Sequence, residues 1–138
     1  MTALQHMVMA QEGLRLKPYT DSLGNWTIGV GRNLDEKGVS EDEAMMLLNN
    51  DLADAIDDVR HVCSVYDELS EPRKQVLVSM AFNMGRTRLE GFVRFLGAIH
   101  RGDWDDAADE MLDSQWAKEV GARATTLSRM MRNNVEWV

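Results

Sequence analysis

The sequence predicts a mostly helical α+β fold, in which a long helix joins a small β-hairpin lobe to a larger helical lobe. Three observations carry that expectation. β-favouring residues and turn glycines crowd into one short stretch between Lys17 and Leu34. A capping box at Ser40-Glu41-Asp42-Glu43 then opens a run with apolar residues at three- and four-residue steps. Every later apolar segment keeps that helical period, with breaks at Gly85 and Gly102.

Taken in order, residues 2–12 read as a helix with Leu4, Met7 and Val8 on one side and Gly13 as its stop. Tyr19, Trp26, Ile28 and Val30 favour strand, and Leu23-Gly24-Asn25 supplies a hairpin turn between them. Glycines 24, 29 and 31 imply tight bends or close backbone approach. From Ser40, the residues Ala44, Leu47, Leu48, Leu52, Ala55, Ile56 and Val59 mark a helix of roughly twenty residues, about 30 Å long.

Ser70-Glu71-Pro72 starts the next helix with proline in its first turn, and Val76, Leu77, Met80, Ala81 and Met84 form its core side. Three more helices follow, marked by Phe92–Ile99, by Trp104–Leu112 and by Leu127–Met131. The ten methionines sit at helical spacing and read as core filler in preference to a promiscuous binding surface. The expected division is one domain over 1–138: a small β lobe at 13–39, a connecting helix at 40–61, and a helical lobe from 1–12 and 62–138.

A chain of 138 residues, 44% hydrophobic and 28% charged, fits one globular domain with material for a real core. The single cysteine, Cys63, excludes an intramolecular disulfide. No charged leader precedes an apolar run, and no apolar run nears about 18 residues, so neither export nor membrane insertion is expected. A net charge of −8 makes nucleic acid a poor partner. The acidic runs Glu41–Asp58 and Asp103–Asp113 read as solvated helix faces.

Histidines 6, 61 and 100 have no ligand-like spacing to one another or to Cys63, so no metal or other cofactor is expected. His61 and Cys63 are two apart, which on a helix points them to different sides. Gly29-Val30-Gly31-Arg32 is too short for a dinucleotide fingerprint and lacks its βαβ context. That leaves the acids of the hairpin region. Glycoside hydrolysis needs one carboxylic acid to protonate the leaving oxygen and a second group to assist water. Glu12, ending an apolar helix, is expected to be partly desolvated, which favours its protonated form. Asp21 is expected to be solvated and ionised, and Thr27 offers a hydroxyl to hold a water. On spacing alone two readings stay open: ordinary surface charges, or acids brought together across a cleft.

The order Glu12, eight residues, Asp21, five residues, Thr27 resembles the Glu–Asp–Thr signature of phage-type lysozymes, glycoside hydrolase family 24. EGLRLKPYTDSLGNWTIGVG is similar to the family segment at nearly every position. VSEDEAMMLLNNDL resembles the start of the family's inter-lobe helix, SMAFNMG its central buried helix, and GFVRFLGAIHRGDWDDAAD, SQWAKEV and GARATT its C-terminal lobe. The resemblance implies a muramidase acting on the β-1,4 bond between N-acetylmuramic acid and N-acetylglucosamine of peptidoglycan glycan strands. It implies Glu12 as general acid, Asp21 and Thr27 as the groups that position water, and inversion at the anomeric carbon. It further implies Arg123 as the basic partner of Glu12, and Phe82 and Asn83 as substrate-cleft residues.

Two departures from the family stand out. Many relatives carry histidine where this chain has Arg32; with Asp51 as its expected partner, the ion pair would be permanent because a guanidinium does not titrate in the useful range. The chain is also strongly acidic, whereas cell-wall lysozymes are commonly basic. The resulting expectation is a monomeric endolysin that accumulates in the host cytoplasm until it is released to the wall during phage-induced lysis. The alternative is a lysozyme-like glycan-binding or virion-associated module with weak or no catalysis.

Overall fold

In the computed structural model, which describes residues 1–137, eight helices and a three-stranded sheet account for the chain. Two compact bodies form, Met1–Leu47 and the residues from Leu48 on. The division falls inside the long helix, which is itself continuous.

The first body begins with helix α1, Ala3–Glu12. Thr2 caps it through a reciprocal pair: its hydroxyl accepts from the Gln5 N–H at 3.1 Å, and the Gln5 side chain accepts from the Thr2 N–H at 2.7 Å. Gly13 ends it and donates back to the Met9 carbonyl at 2.8 Å. The sheet follows as β1 (Arg15–Thr20), β2 (Trp26–Gly29) and β3 (Arg32–Asn33), antiparallel in the order β1-β2-β3. Tyr19 pairs with Thr27 and Thr27 with Asn33, so Thr27 lies on the central strand. The β1–β2 turn closes with Asp21 N–H to the Asn25 carbonyl and Gly24 N–H to the Asp21 carbonyl. Strand therefore starts at Arg15, earlier than the aromatic pattern suggests, and a bulge between Arg15 and Tyr19 absorbs the extra residues.

Helix α2 runs Glu41–Val62, within a residue of the expected span. Its capping box is present in both directions, Glu43 N–H to Ser40 Oγ at 3.1 Å and Ser40 N–H to Glu43 Oε1 at 2.9 Å. The early apolar positions of the periodic run, Ala44 and Leu47, are exposed; burial begins with Ala55 and Val59.

The second body continues with a 3-10 turn (Tyr66–Glu68) and helices α3 (Glu71–Met84), α4 (Arg86–Glu90), α5 (Val93–Arg101), α6 (Trp104–Leu112), α7 (Gln115–Val120) and α8 (Ala122–Asn133). Its core contains Val59, Leu77, Met80, Leu89, Phe95, Ile99, Met111, Trp116, Met130 and Met131, all nearly inaccessible. Arg73 ties three helices of this body together. Its guanidinium stacks 3.9 Å from the Trp104 ring centre, and its Nε donates to the Met131 carbonyl at 2.8 Å.

The acidic run on α6 serves structure. Asp105 and Asp109 hold Arg132 of α8 at 3.1 and 2.6 Å, and Asp103 caps the helix by accepting from the Asp106 N–H. Methionine use divides by body. Met80, Met111, Met130 and Met131 are core filler as expected, whereas Met1, Met7, Met45 and Met46 are exposed. No helix among the described residues is long and apolar enough to cross a membrane.

Candidate active site

Glu12 is the last residue of α1, and its side chain lies against the bend between β2 and β3. The bend residue is Gly31, where a side chain would meet Glu12 Oε2 at 3.0 Å. Glu12 as a residue is exposed, so the burial expected from the apolar helix before it is not found. The reason is local: α1 has no buried residue, and its neighbours Leu4, Met7 and Val8 are themselves open to solvent.

Asp21 and Thr27 are both tied to the backbone of Asn25. One oxygen of Asp21, Oδ1, accepts from the N–H groups of Leu23 and Asn25, both at 2.9 Å. The Asn25 carbonyl in turn accepts the Thr27 hydroxyl at 3.0 Å and the Asp21 N–H at 2.9 Å. The Asn25 N–H and its companions in the turn hold the Asp21 carboxyl below the ordinary carboxylate range, since donors aimed at a carboxylate favour its charged form. Thr27 is buried at 4% exposure, so its rotamer is set by packing as well as by that hydrogen bond.

The geometry divides the hydrogen-bonding capacity cleanly. The single Thr27 hydroxyl proton is committed to the Asn25 carbonyl, so its oxygen can offer a further group only lone pairs, and an ionised Asp21 carboxylate likewise only accepts. Both groups present acceptors only. A water placed between them would donate both protons to the protein and keep its own lone pairs free for an electrophile.

Arg32 departs from its expected partner. Glu43 holds it bidentately, Nη1 to Oε1 at 2.9 Å and Nη2 to Oε2 at 2.7 Å, while Nη1 also donates to the Gly38 carbonyl at 3.0 Å. The carboxylate that neutralises Arg32 is thus Glu43 in place of Asp51. Arg32 and the Ser40 donors push the Glu43 carboxyl down to about 2. The physical reason is the loop 34–40, which returns the start of α2 to the sheet end, so that one carboxylate both caps the helix and binds the arginine. Asp51 is exposed on α2, where it borders a small cleft of about 250 Å³ with Asp54, Asp58 and Phe82.

In the second body Phe82, Asn83 and Arg123 line one groove of about 770 Å³, along with Leu52, Tyr66 and Val78. Asn83 accepts from the indole N–H of Trp116 at 3.1 Å. An indole nitrogen only donates, so the amide oxygen must face it and the Asn83 NH₂ is left free to donate elsewhere. Among the described residues no group of three His, Cys, Asp or Glu is placed to hold a metal. Sequence reasoning missed Asn25, Gly31 and Glu43 as site residues. Glu43 was visible as the capping-box acid; Asn25 acts chiefly through its backbone N–H and carbonyl, which the residue type does not announce.

A mostly helical α+β chain, with one acid ending its first helix, a second in the following β-turn and a threonine on the central strand, has the layout of a lysozyme-type glycoside hydrolase. The sequence model of the phage lysozyme family matches residues 9–136, and the chain belongs to that family, glycoside hydrolase family 24. The family makes peptidoglycan the implied substrate. The chain is 27% identical to probable T4-type lysozyme 2 of Dictyostelium discoideum, with 89% of each chain covered. It is 28% identical to an endolysin of Acyrthosiphon pisum secondary endosymbiont phage 1, covering 94% of this chain and 89% of that one. The pre-baseplate central spike protein Gp5 of Enterobacteria phage T4 is also 28% identical over 94% of this chain, but the match spans 27% of Gp5.

Proposed function

We propose that the protein is a muramidase that hydrolyses the β-1,4 bond between N-acetylmuramic acid and N-acetylglucosamine with inversion, in phage-induced lysis of the host cell. The observation that supports this reading is the Asn25 clamp, which anchors both Asp21 and Thr27 to one residue and leaves each with acceptor capacity to offer a water.

Glu12 gives its proton to the glycosidic oxygen as the bond from that oxygen to the anomeric carbon breaks. The water held by Asp21 and Thr27 attacks the anomeric carbon from the opposite face, and its proton passes to Asp21. With its carboxyl held low by backbone donors, Asp21 is a weak base; its main work is to orient the water and to offset the developing positive charge on the sugar. Its charged form persists below the ordinary carboxylate range, so the activity limb that Asp21 sets lies at correspondingly acid pH. In the second body, the free amide protons of Asn83 suit the carbonyl of an acetamido group, Phe82 offers a half-exposed ring to a sugar face, and Arg123 supplies positive charge. Arg32 serves structure through Glu43.

Digestion of purified peptidoglycan tests the reaction. New reducing ends should appear without new free amines, and the first-formed anomer should be α. Free amines would make the protein an amidase or peptidase, and a first-formed β anomer would replace inversion with retention.

A second reading makes the chain the lysozyme module of a particle. Its specific support is the similarity to the T4 spike protein over only 27% of that protein's length. Binding to peptidoglycan with no release of reducing ends would favour it.

A further inference from the structure

We infer that Gly31 is a positioning residue for the Glu12 carboxyl: the absence of a side chain at this bend sets where the acid's oxygen sits. This rests on Glu12 being the general acid.

The backbone at Gly31 has φ of +67°, and a Cβ there would lie 3.0 Å from Glu12 Oε2, 3.4 Å from Glu12 Cβ and 3.5 Å from Glu12 Cδ. Beyond the residues adjoining Gly31 in sequence, the three atoms nearest the added carbon all belong to Glu12. The neighbour that must yield is therefore the far end of a flexible, solvent-exposed side chain. Yielding costs the fold little, because Glu12 can rotate into water. It costs the chemistry more, since a proton donor must stand within hydrogen-bond reach of the leaving oxygen, and a misplacement of about 1 Å can cost on the order of 10²-fold. Gly31 thus leaves the carboxylate room to rest against the β2–β3 bend, a position that a Cβ would deny it.

The structure contains its own control. Gly29, two residues away at the end of β2, has φ of +69°, yet a Cβ there meets nothing within 4 Å. Alanine at either position suffers the same left-handed backbone strain. Only at 31 does it touch Glu12.

The test compares Gly31→Ala, Gly29→Ala and Glu12→Gln on purified peptidoglycan, with kcat and KM separated and Tm measured for each. Both alanine variants should lose roughly 4–8 °C of Tm from the shared backbone strain. Gly31→Ala should lose about tenfold or more in kcat with KM unchanged, as Glu12 turns away from the bend. Gly29→Ala should keep kcat within about twofold. Equal kcat values in the two alanine variants, with Glu12→Gln inactive, would overturn the role of Gly31 alone. A Glu12→Gln variant with full turnover would instead overturn the assignment of Glu12 as the acid. A Gly31→Ala loss confined to KM would make the residue a substrate contact.

Discussion

The two bodies of the molecule are held together by different physics. The second, from Leu48 on, is a packed core in which Trp116, Phe95, Leu77 and four methionines are almost completely removed from water. The first, Met1–Leu47, buries one residue, Thr27, and leaves Leu4, Met7, Leu14, Leu16 and Trp26 in solvent. Its order rests on hydrogen bonds: two capping boxes, a three-stranded ladder, the Asn25 clamp and the Arg32–Glu43 fork. All three proposed catalytic side chains lie in this body. Directional bonds can fix individual polar atoms, whereas apolar packing fixes shape, and a water-orienting site needs the former.

The contrast can be attacked from both ends. The largest effect on stability belongs to the core. Trp116→Ala should cost ~3–5 kcal/mol in denaturant unfolding and leave Asn83 without its indole donor. Leu16→Ala, at a side chain 81% exposed, should stay within about 0.5 kcal/mol. A comparable loss at both positions would end the distinction between the bodies.

Thr27→Val turns to the hydrogen-bonded side. The swap keeps the shape and removes the hydroxyl that donates to Asn25. Turnover should fall on the order of 10–10²-fold, the scale of one lost hydrogen bond of about 1.5–3 kcal/mol. A variant with wild-type kcat would remove Thr27 from the chemistry.

The Arg32–Glu43 fork predicts a smaller, pH-coded effect. Glu43 is held at about 2 in the folded protein against an ordinary 4.5, so its stabilising contribution is complete above about 4.5 and is lost as pH falls toward 2. The gap in Tm between wild type and Glu43→Gln should therefore be constant at neutral pH and close between pH 4.5 and 2. Arg32→His should instead lose stability between about pH 5 and 8, where imidazole gives up its proton while guanidinium does not. Parallel profiles for Arg32→His and wild type in that window would remove the fork from the account.

The smallest effect concerns net charge. A chain at −8 approaching an anionic wall is repelled, so lytic activity should rise modestly from low to moderate salt. A steep monotonic fall on adding salt would contradict this.

Much of the fold was legible because its signals are local. The Ser40/Glu43 box and the following apolar period place α2 to within a residue, and the glycines and β-formers at 17–34 place the hairpin. Helices α4 and α7 were not called from the pattern, since five and six residues are too few to complete an apolar period. The site was legible in part. Glu12, Asp21 and Thr27 stand out by resemblance, since spacing alone leaves ordinary surface charges an open reading, and Phe82, Asn83 and Arg123 likewise stand out by resemblance only. The partner of Arg32 was misread because sequence separation carries no information about a loop that turns back on itself. Exposure was misread for Glu12 and for the methionines of the first body, because an apolar period does not say whether anything covers it.

A hydrogen-bonded first body carries an acid, Glu12, whose removal should stop turnover without touching the fold. Turnover of peptidoglycan by wild type and Glu12→Gln, with Tm measured on the same samples, tests it directly. Glu12 is exposed at a helix end, so Tm should be unchanged within error while turnover falls ~10²–10⁴-fold. Undiminished turnover in Glu12→Gln would contradict the account.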